Sequence, residues 1–222
     1  MALQREPARG PLALRRALLI ADGTFDSDYL EPPIRPGHER AVASALIGAA
    51  REVRGLEALV LAGLPDSSRF LAAMRDELAA RGLGKREHPV PCFSTPLADT
   101  FEASLARLKP RMRSKVRSAV RAANERSAKL AWCESASALP SWLEELYALH
   151  EKRWQAEGRA GSFADPRRRV FFRRLAEEAL PRGELCLARL EEPAGTSAIQ
   201  FGLQKGPRYY QIQEGFDPAR ES

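Results

Sequence analysis

A chain of 222 residues, 44% hydrophobic and 29% charged, has the composition of a globular protein long enough for one large core or two small ones. Its net charge of +6 points towards an anionic partner, but 29 of its 35 basic residues are arginine in an alanine-rich chain, a bias that coding alone can produce, so basicity by itself is weak support. Cys92, Cys133 and Cys186, like His38, His88 and His150, lie too far apart for a disulfide framework or a zinc site, and no apolar run approaches the roughly 18 residues of a membrane span, which fits a reducing cytoplasm.

The start of the chain reads as a frayed arm before a buried strand. The apolar ALLIA that follows the basic flank is too short for a leader and runs into Asp22. LRRALLIADG (14–23) reads as a strand, followed by a Gly/Asp/Pro-rich loop to residue 37. HERAVASALIGAARE (38–52) has helical periodicity, and LEALVLAGL (56–64) is a short apolar run typical of a strand buried on both faces. SSRFLAAMRDELAARG (67–82) predicts a helix capped by Ser67 or Ser68 and ended by Gly82. KREHPVPCFSTPL (85–97) reads as extended, its prolines favouring a sheet edge. The order strand, helix, strand, helix, strand predicts a sheet that is at least partly parallel.

Residues 98–127 form a basic amphipathic segment. Leu105, Leu108, Met112, Val116, Val120 and Ala123 fall on one stripe, and Arg113, Lys115, Arg117, Arg121 and Arg126 on the other face. Pro110 removes an internal hydrogen bond, so the helix should break near Lys109. AKLAWCE (128–134) reads as a strand. Helices follow at about 139–157 and 165–181, separated by EGRAGSFADP. GELCLARL, TSAIQFGLQ and PRYYQIQ then form a meander with turns at PAG and KGP.

Four stretches carry a resemblance. They are L-x-x-L-H-x-x-R-W (Leu146, Leu149, His150, Arg153, Trp154), G-x-x-G-x-F (Gly158, Gly161, Phe163), G-F-D-P (Gly215 to Pro218) and SDYLEPP (27–33). With them the chain resembles the CelD/BcsL-like acetyltransferases of cellulose and exopolysaccharide biosynthesis, members of the GNAT superfamily related to the FemABX peptidyltransferases. The resemblance implies an α/β fold of GNAT-like mixed sheets flanked by helices, with parts of two tandem acyltransferase domains joined by a basic helix. Residues 1–97 would be the C-terminal part of a first domain, 98–127 the connecting helix, and 128–222 the first four strands of a second. A GNAT domain runs strand, helix, helix, then three strands, before a loop and helix that hold the carrier's pyrophosphate. That loop and helix are expected to fall beyond Ser222, and the start of the first domain before Met1. ADGTFDSDY (21–29) falls where a first-domain phosphate loop would be, but its three aspartates oppose phosphate, so it reads as degenerate or acceptor-facing.

The implied activity is transfer of an acyl group from acetyl-CoA or another acyl-CoA to an amine or hydroxyl of a small-molecule or saccharide-linked acceptor, needing no metal and no nucleophilic cysteine. Two other readings stay open: a FemABX-like transferase using charged tRNA, and a non-catalytic truncated remnant or binding module. In such chemistry Glu214 is the candidate base and Tyr210 the proton donor. Alternation puts Tyr209, Gln211 and Gln213 on one face of the last strand and Tyr210, Ile212 and Glu214 on the other. A packing and capping role accounts for these residues equally well. His150, Arg153 and Trp154 share a helix face and, with Gln213, are the candidate substrate-binding groups. The plainer reading has Trp154 in the core and Arg153 on a carboxylate. Arg113, Arg117 and Arg121 are the candidate anion-binding set. A solvated connector face is the preferred account of them, because no aromatic residue lies between Arg107 and Lys129 to stack on bases.

Overall fold

The computed structural model describes the backbone of residues 3–6 and the whole of residues 14–19 and 29–220. The chain divides into two compact units, Met1–Phe93 and Ser94–Ser222.

In the first unit, strands β1 (Leu3–Glu6), β2 (Arg16–Leu19) and β3 (Ala58–Val60) form a sheet in that order, with helices α1 (Glu39–Glu52) and α2 (Arg69–Ala80). β2 and β3 run parallel, as the strand–helix–strand order predicts, and β1 pairs antiparallel with β2. The expected frayed arm therefore contains a strand, held by pairing that no local pattern encodes. Ala43, Leu46 and Ile47 of α1 pack on Phe70, Ala73 and Met74 of α2. Ser68 caps α2 by accepting from the Leu71 amide at 3.1 Å.

Two expectations for this unit are corrected. β3 is half-buried rather than buried on both faces, with Leu59 packed against the two-helix core. Residues 85–97 form no strand, and Val90 and Phe93 are exposed. Pro89, Pro91 and Pro96 have no amide hydrogen to offer a ladder. Apart from Tyr29, the ADGTFDSDY stretch lies outside the described residues.

The second unit contains α3 (Phe101–Ala106), α4 (Pro110–Glu125), β4 (Lys129–Trp132), α5 (Leu139–Ala156), α6 (Pro166–Ala179), β5 (Leu185–Glu192), β6 (Gly195–Lys205) and β7 (Arg208–Phe216). The helix break falls where Pro110 predicts it. Proline takes the first position of α4, where its missing amide hydrogen costs nothing. Four antiparallel strands lie in the order β4-β5-β6-β7. One sheet face is covered by α5 and α6, which bury Trp142, Leu143, Leu146, Tyr147, Phe172 and Ala176 against Leu187, Ile199 and Phe201. Phe163, from the α5–α6 loop, sits at the centre, with ring centroids 4.5 Å from Tyr147, 4.8 Å from His150 and 5.1 Å from Phe172. α4 buries none of its residues.

β7 runs three residues further than the PRYYQIQ segment, and Ile212 is a bulge. Phe201 faces Gln213 while its neighbour Gly202 faces Gln211, so one extra residue stands in β7. The predicted alternation is corrected accordingly. Gln211 and Glu214 share the face of their partners Gly202 and Gln200. Tyr210, Gln213 and Gly215 share the helix-covered face of Leu203, Phe201 and Ile199.

Candidate active site

The site is built where the last turns of α5 cross the end of β7. A Cβ on Gly215 would lie 2.5 Å from the His150 backbone nitrogen and 2.8 Å from the Leu149 carbonyl carbon. Only glycine lets the helix and strand come this close. His150, 2% exposed, points into that contact. Its Nε2 accepts from the Ser162 amide at 3.2 Å, which makes Nδ1 the protonated nitrogen, and Nδ1 donates to the Glu214 carbonyl oxygen at 2.8 Å. Among the described residues no strand pairs with the outer side of β7, and there the ring satisfies the Glu214 carbonyl. Gly161 closes over the same ring, where a Cβ would come 2.9 Å from Cδ2. The substrate-binding expectation for His150 is therefore corrected: both ring nitrogens are used and the ring is enclosed.

Burial pushes the His150 pKa down, against the opposing effect of its bond to the Glu214 carbonyl. An unfolded chain gains this proton near pH 6.5, whereas the folded chain resists it. The stability contributed by the neutral ring is thus complete above about pH 6.5 and is lost as pH falls towards the lower folded-state value. All three tryptophans, Trp132, Trp142 and Trp154, lie in the second unit, so their emission reports its unfolding. The urea midpoint read this way should fall between pH 8 and pH 5.5, and His150→Gln should flatten that slope. An unchanged slope in the variant would assign the effect to other groups.

The Glu214 carboxylate lies on the face away from the core and is 40% exposed, so solvent and a ligand can reach it. Arg153 donates from its terminal nitrogen to Oε1 at 2.9 Å, and Gln211 donates from Nε2 to Oε2 at 2.7 Å. The Arg153 guanidinium also stands over the Phe216 and Trp154 rings, at 4.9 and 5.3 Å from their centroids. Its partner is thus a carboxylate of this chain, as the plainer reading has it. Trp154 is half-buried, with its indole nitrogen enclosed.

The bulge decides which tyrosine accompanies Glu214. Tyr210 lies opposite Leu203 on the helix-covered face and Glu214 opposite Gln200 on the other, so the expected Tyr210–Glu214 pair is not brought together. Gln213 is likewise separated from Gln211 and Glu214. Tyr209 is the tyrosine on Glu214's face: its hydroxyl donates to Gln200 Oε1 at 2.6 Å, and Gln200 is Glu214's cross-strand partner. Gly202 makes the room, since a Cβ there would stand 2.4 Å from the Tyr209 ring. Burial pushes the Tyr209 pKa up, so the hydroxyl stays protonated. Tyr209, Gln200 and Gln211 were missed as a set because a bulge depends on cross-strand partners and leaves no mark along the chain.

Arg113, Arg117 and Arg121 line a cleft of about 230 Å³ with Pro110 and Ser114. Arg113 donates to the Ala106 and Leu108 carbonyls at the end of α3, and Arg117 pairs with Glu102 at 3.0 Å. A second cavity, of about 540 Å³, lies between the end of α5 and the start of α6, with Glu151, Gln155, Gly161 and Arg169 in its wall. Burial raises the pKa of the Cys133 and Cys186 thiols, which leaves them poor nucleophiles. Among the described residues no cluster of His, Cys, Asp or Glu could hold a metal.

The turn after β7 does not fit a diphosphate. The Asp217 amide donates to the Ser197 carbonyl, the Ala219 amide to Asp217 Oδ1 and the Arg220 amide to the Asp217 carbonyl, so these donors are committed. Lys152, 2.7 Å away, holds the Asp217 carboxyl below its usual range, so this lysine too is committed within the turn. The described residues thus fit the proton-handling part of acyl transfer and do not supply a diphosphate cradle.

Among the described residues no helix is long and apolar enough to cross a membrane. A comparison with curated proteins finds no match. The sequence model described as an acetyltransferase (GNAT) domain matches residues 110–222, which span α4, the strand–helix–helix–three-strand unit and the turn after β7. Half of the chain, including every group around Glu214, lies in that match, and the chain belongs to the GNAT acetyltransferase domain family.

Proposed function

We propose that this protein is a cytoplasmic acyltransferase of the CelD/BcsL type, transferring an acyl group from acetyl-CoA or another acyl-CoA to an amine or hydroxyl of a saccharide-linked acceptor in exopolysaccharide or cellulose biosynthesis. One observation carries the reading: within a GNAT domain, an exposed carboxylate, Glu214, is held at both oxygens on a bulged edge strand with a tyrosine on the same face. Glu214 accepts the proton that the acceptor's nitrogen or oxygen must lose as it becomes a nucleophile. Arg153 and Gln211 fix the direction in which the carboxylate presents its lone pairs. As the bond from the acyl carbon to sulfur breaks, the Tyr209 hydroxyl is the donor on that face that protonates the departing thiolate. An acyl thioester supplies the electrophilic carbonyl.

The experiment is isothermal titration of acetyl-CoA followed by thiol-release assays against amino- and hydroxyl-bearing saccharides. Absence of both binding and turnover would overturn the reading. Tyr209→Phe should lower kcat by about 10²-fold, the contribution of one positioned proton donor. Tyr210→Phe should leave kcat within about twofold of the parent, because its side chain is on the packed face. The reverse order would restore Tyr210 as the donor.

A further inference from the structure

The charge of the chain is concentrated in one place. Within α4, Arg111, Arg113, Lys115, Arg117 and Arg121 face a single carboxylate, Glu125, and Lys109 and Arg126 flank the helix. Residues 109–126 thus carry a net charge of +6, equal to that of the whole chain, and the rest of the molecule is formally neutral. Coding bias spreads arginine along a sequence and does not gather the whole excess of charge onto one helix and the two residues that flank it.

The apolar residues of α4 are arranged against that charge. Met112, Val116 and Val120 repeat every fourth residue along one stripe. At 3.6 residues per turn, Arg113, Arg117 and Arg121 run along one side of the stripe and Arg111 and Lys115 along the other. Met112 and Val120 are 50% and 42% exposed. The helix that the sequence reads as a solvated connector thus presents an apolar stripe, exposed at Met112 and Val120 and half-buried at Val116, between two rows of cations. Arg113 and Arg117 are partly committed to α3, but among the described residues no carboxylate pairs with Arg111, Lys115 or Arg121.

We infer that α4 is a docking surface for an anionic lipid bilayer. Charge complementarity selects the partner. Long cationic side chains can reach outward to phosphate headgroups while the stripe between them meets the acyl-chain boundary. A nucleic acid would use the cations and leave the methionine and valines in water, and α4 has no aromatic side chain to stack on bases.

The test is flotation of the full chain with phosphatidylcholine vesicles, with and without phosphatidylglycerol. Binding should require the anionic lipid and weaken with added salt. Reversing Arg111, Lys115 and Arg121 together to glutamate should weaken binding at least about tenfold, and Met112→Ser with Val120→Ser should weaken it severalfold while retaining the salt dependence. All five positions are exposed on a helix that buries nothing, and unchanged tryptophan emission checks that the second unit remains folded. Absence of binding to anionic vesicles overturns the proposal, as does binding indifferent to the charge reversal. Binding of an RNA oligomer through the same cations, with no vesicle binding, would assign the surface to nucleic acid instead.

Discussion

Gly215→Ala should destabilise the second unit by about 3 kcal/mol, at the upper end of the cost of overpacking a close contact. The added carbon would meet the His150 nitrogen at 2.5 Å, the Leu149 carbonyl carbon at 2.8 Å and the Leu149 Cβ at 2.9 Å. Two of these atoms belong to the backbone of α5, so a side-chain rotation cannot relieve the clash. The helix must lift, and lifting it stretches the His150–Glu214 bond and opens the Gly161 contact on the same ring. Gly202→Ala is the comparison. Its clash is with the Tyr209 ring, which can swing away, so it should cost less stability and displace the tyrosine instead. Urea unfolding followed by tryptophan emission measures both. Equal stability losses would show that the α5–β7 approach is looser than these distances require.

Glu214→Gln should lower kcat by about 10³-fold with little change in stability. Glutamine keeps the length of the side chain and can still meet Gln211, but it cannot take a proton from an acceptor. Arg153 would lose its carboxylate partner while remaining over two aromatic rings, and an ion pair at a site this exposed contributes only about 0–1 kcal/mol. Activity and folding are therefore separable at this position. Thiol release under saturating acceptor, beside the urea midpoint of the same preparation, distinguishes them. A variant that keeps parental turnover would remove Glu214 as the base.

The helices were legible because their signals are local. Apolar spacing marked α1, α2, α5 and α6, Ser68 marked the start of α2, and Pro110 marked the start of α4. The meander was legible from its turns. What failed was what depends on partners distant in sequence. Gly-Phe-Asp-Pro reads as a turn along the chain, whereas pairing of Gly215 with Ile199 and of Phe216 with Ala198 carries β7 three residues further. The reading of His150 as a substrate group could not foresee a carbonyl 64 residues away. β1 was invisible for the same reason, and residues 85–97 had the composition of an edge strand without a ladder to join. The stripe on α4 was visible, but its exposure was not, since periodicity locates an apolar face without saying what covers it.

Ile212 gives the spacing of β7 a chemical meaning. Tyr209 and Glu214 are five positions apart, an odd interval that an unbroken strand would send to opposite sides of the sheet. The inserted residue changes the parity of the strand, so the hydroxyl and the carboxylate emerge on the same side. With the bulge kept, lengthening or shortening the interval by one residue would turn the carboxylate towards the aromatic interior, whereas removing Ile212 together with its bulge would leave an even interval and the same pairing of faces. For related strands, the count of residues between tyrosine and glutamate is therefore as informative as their presence.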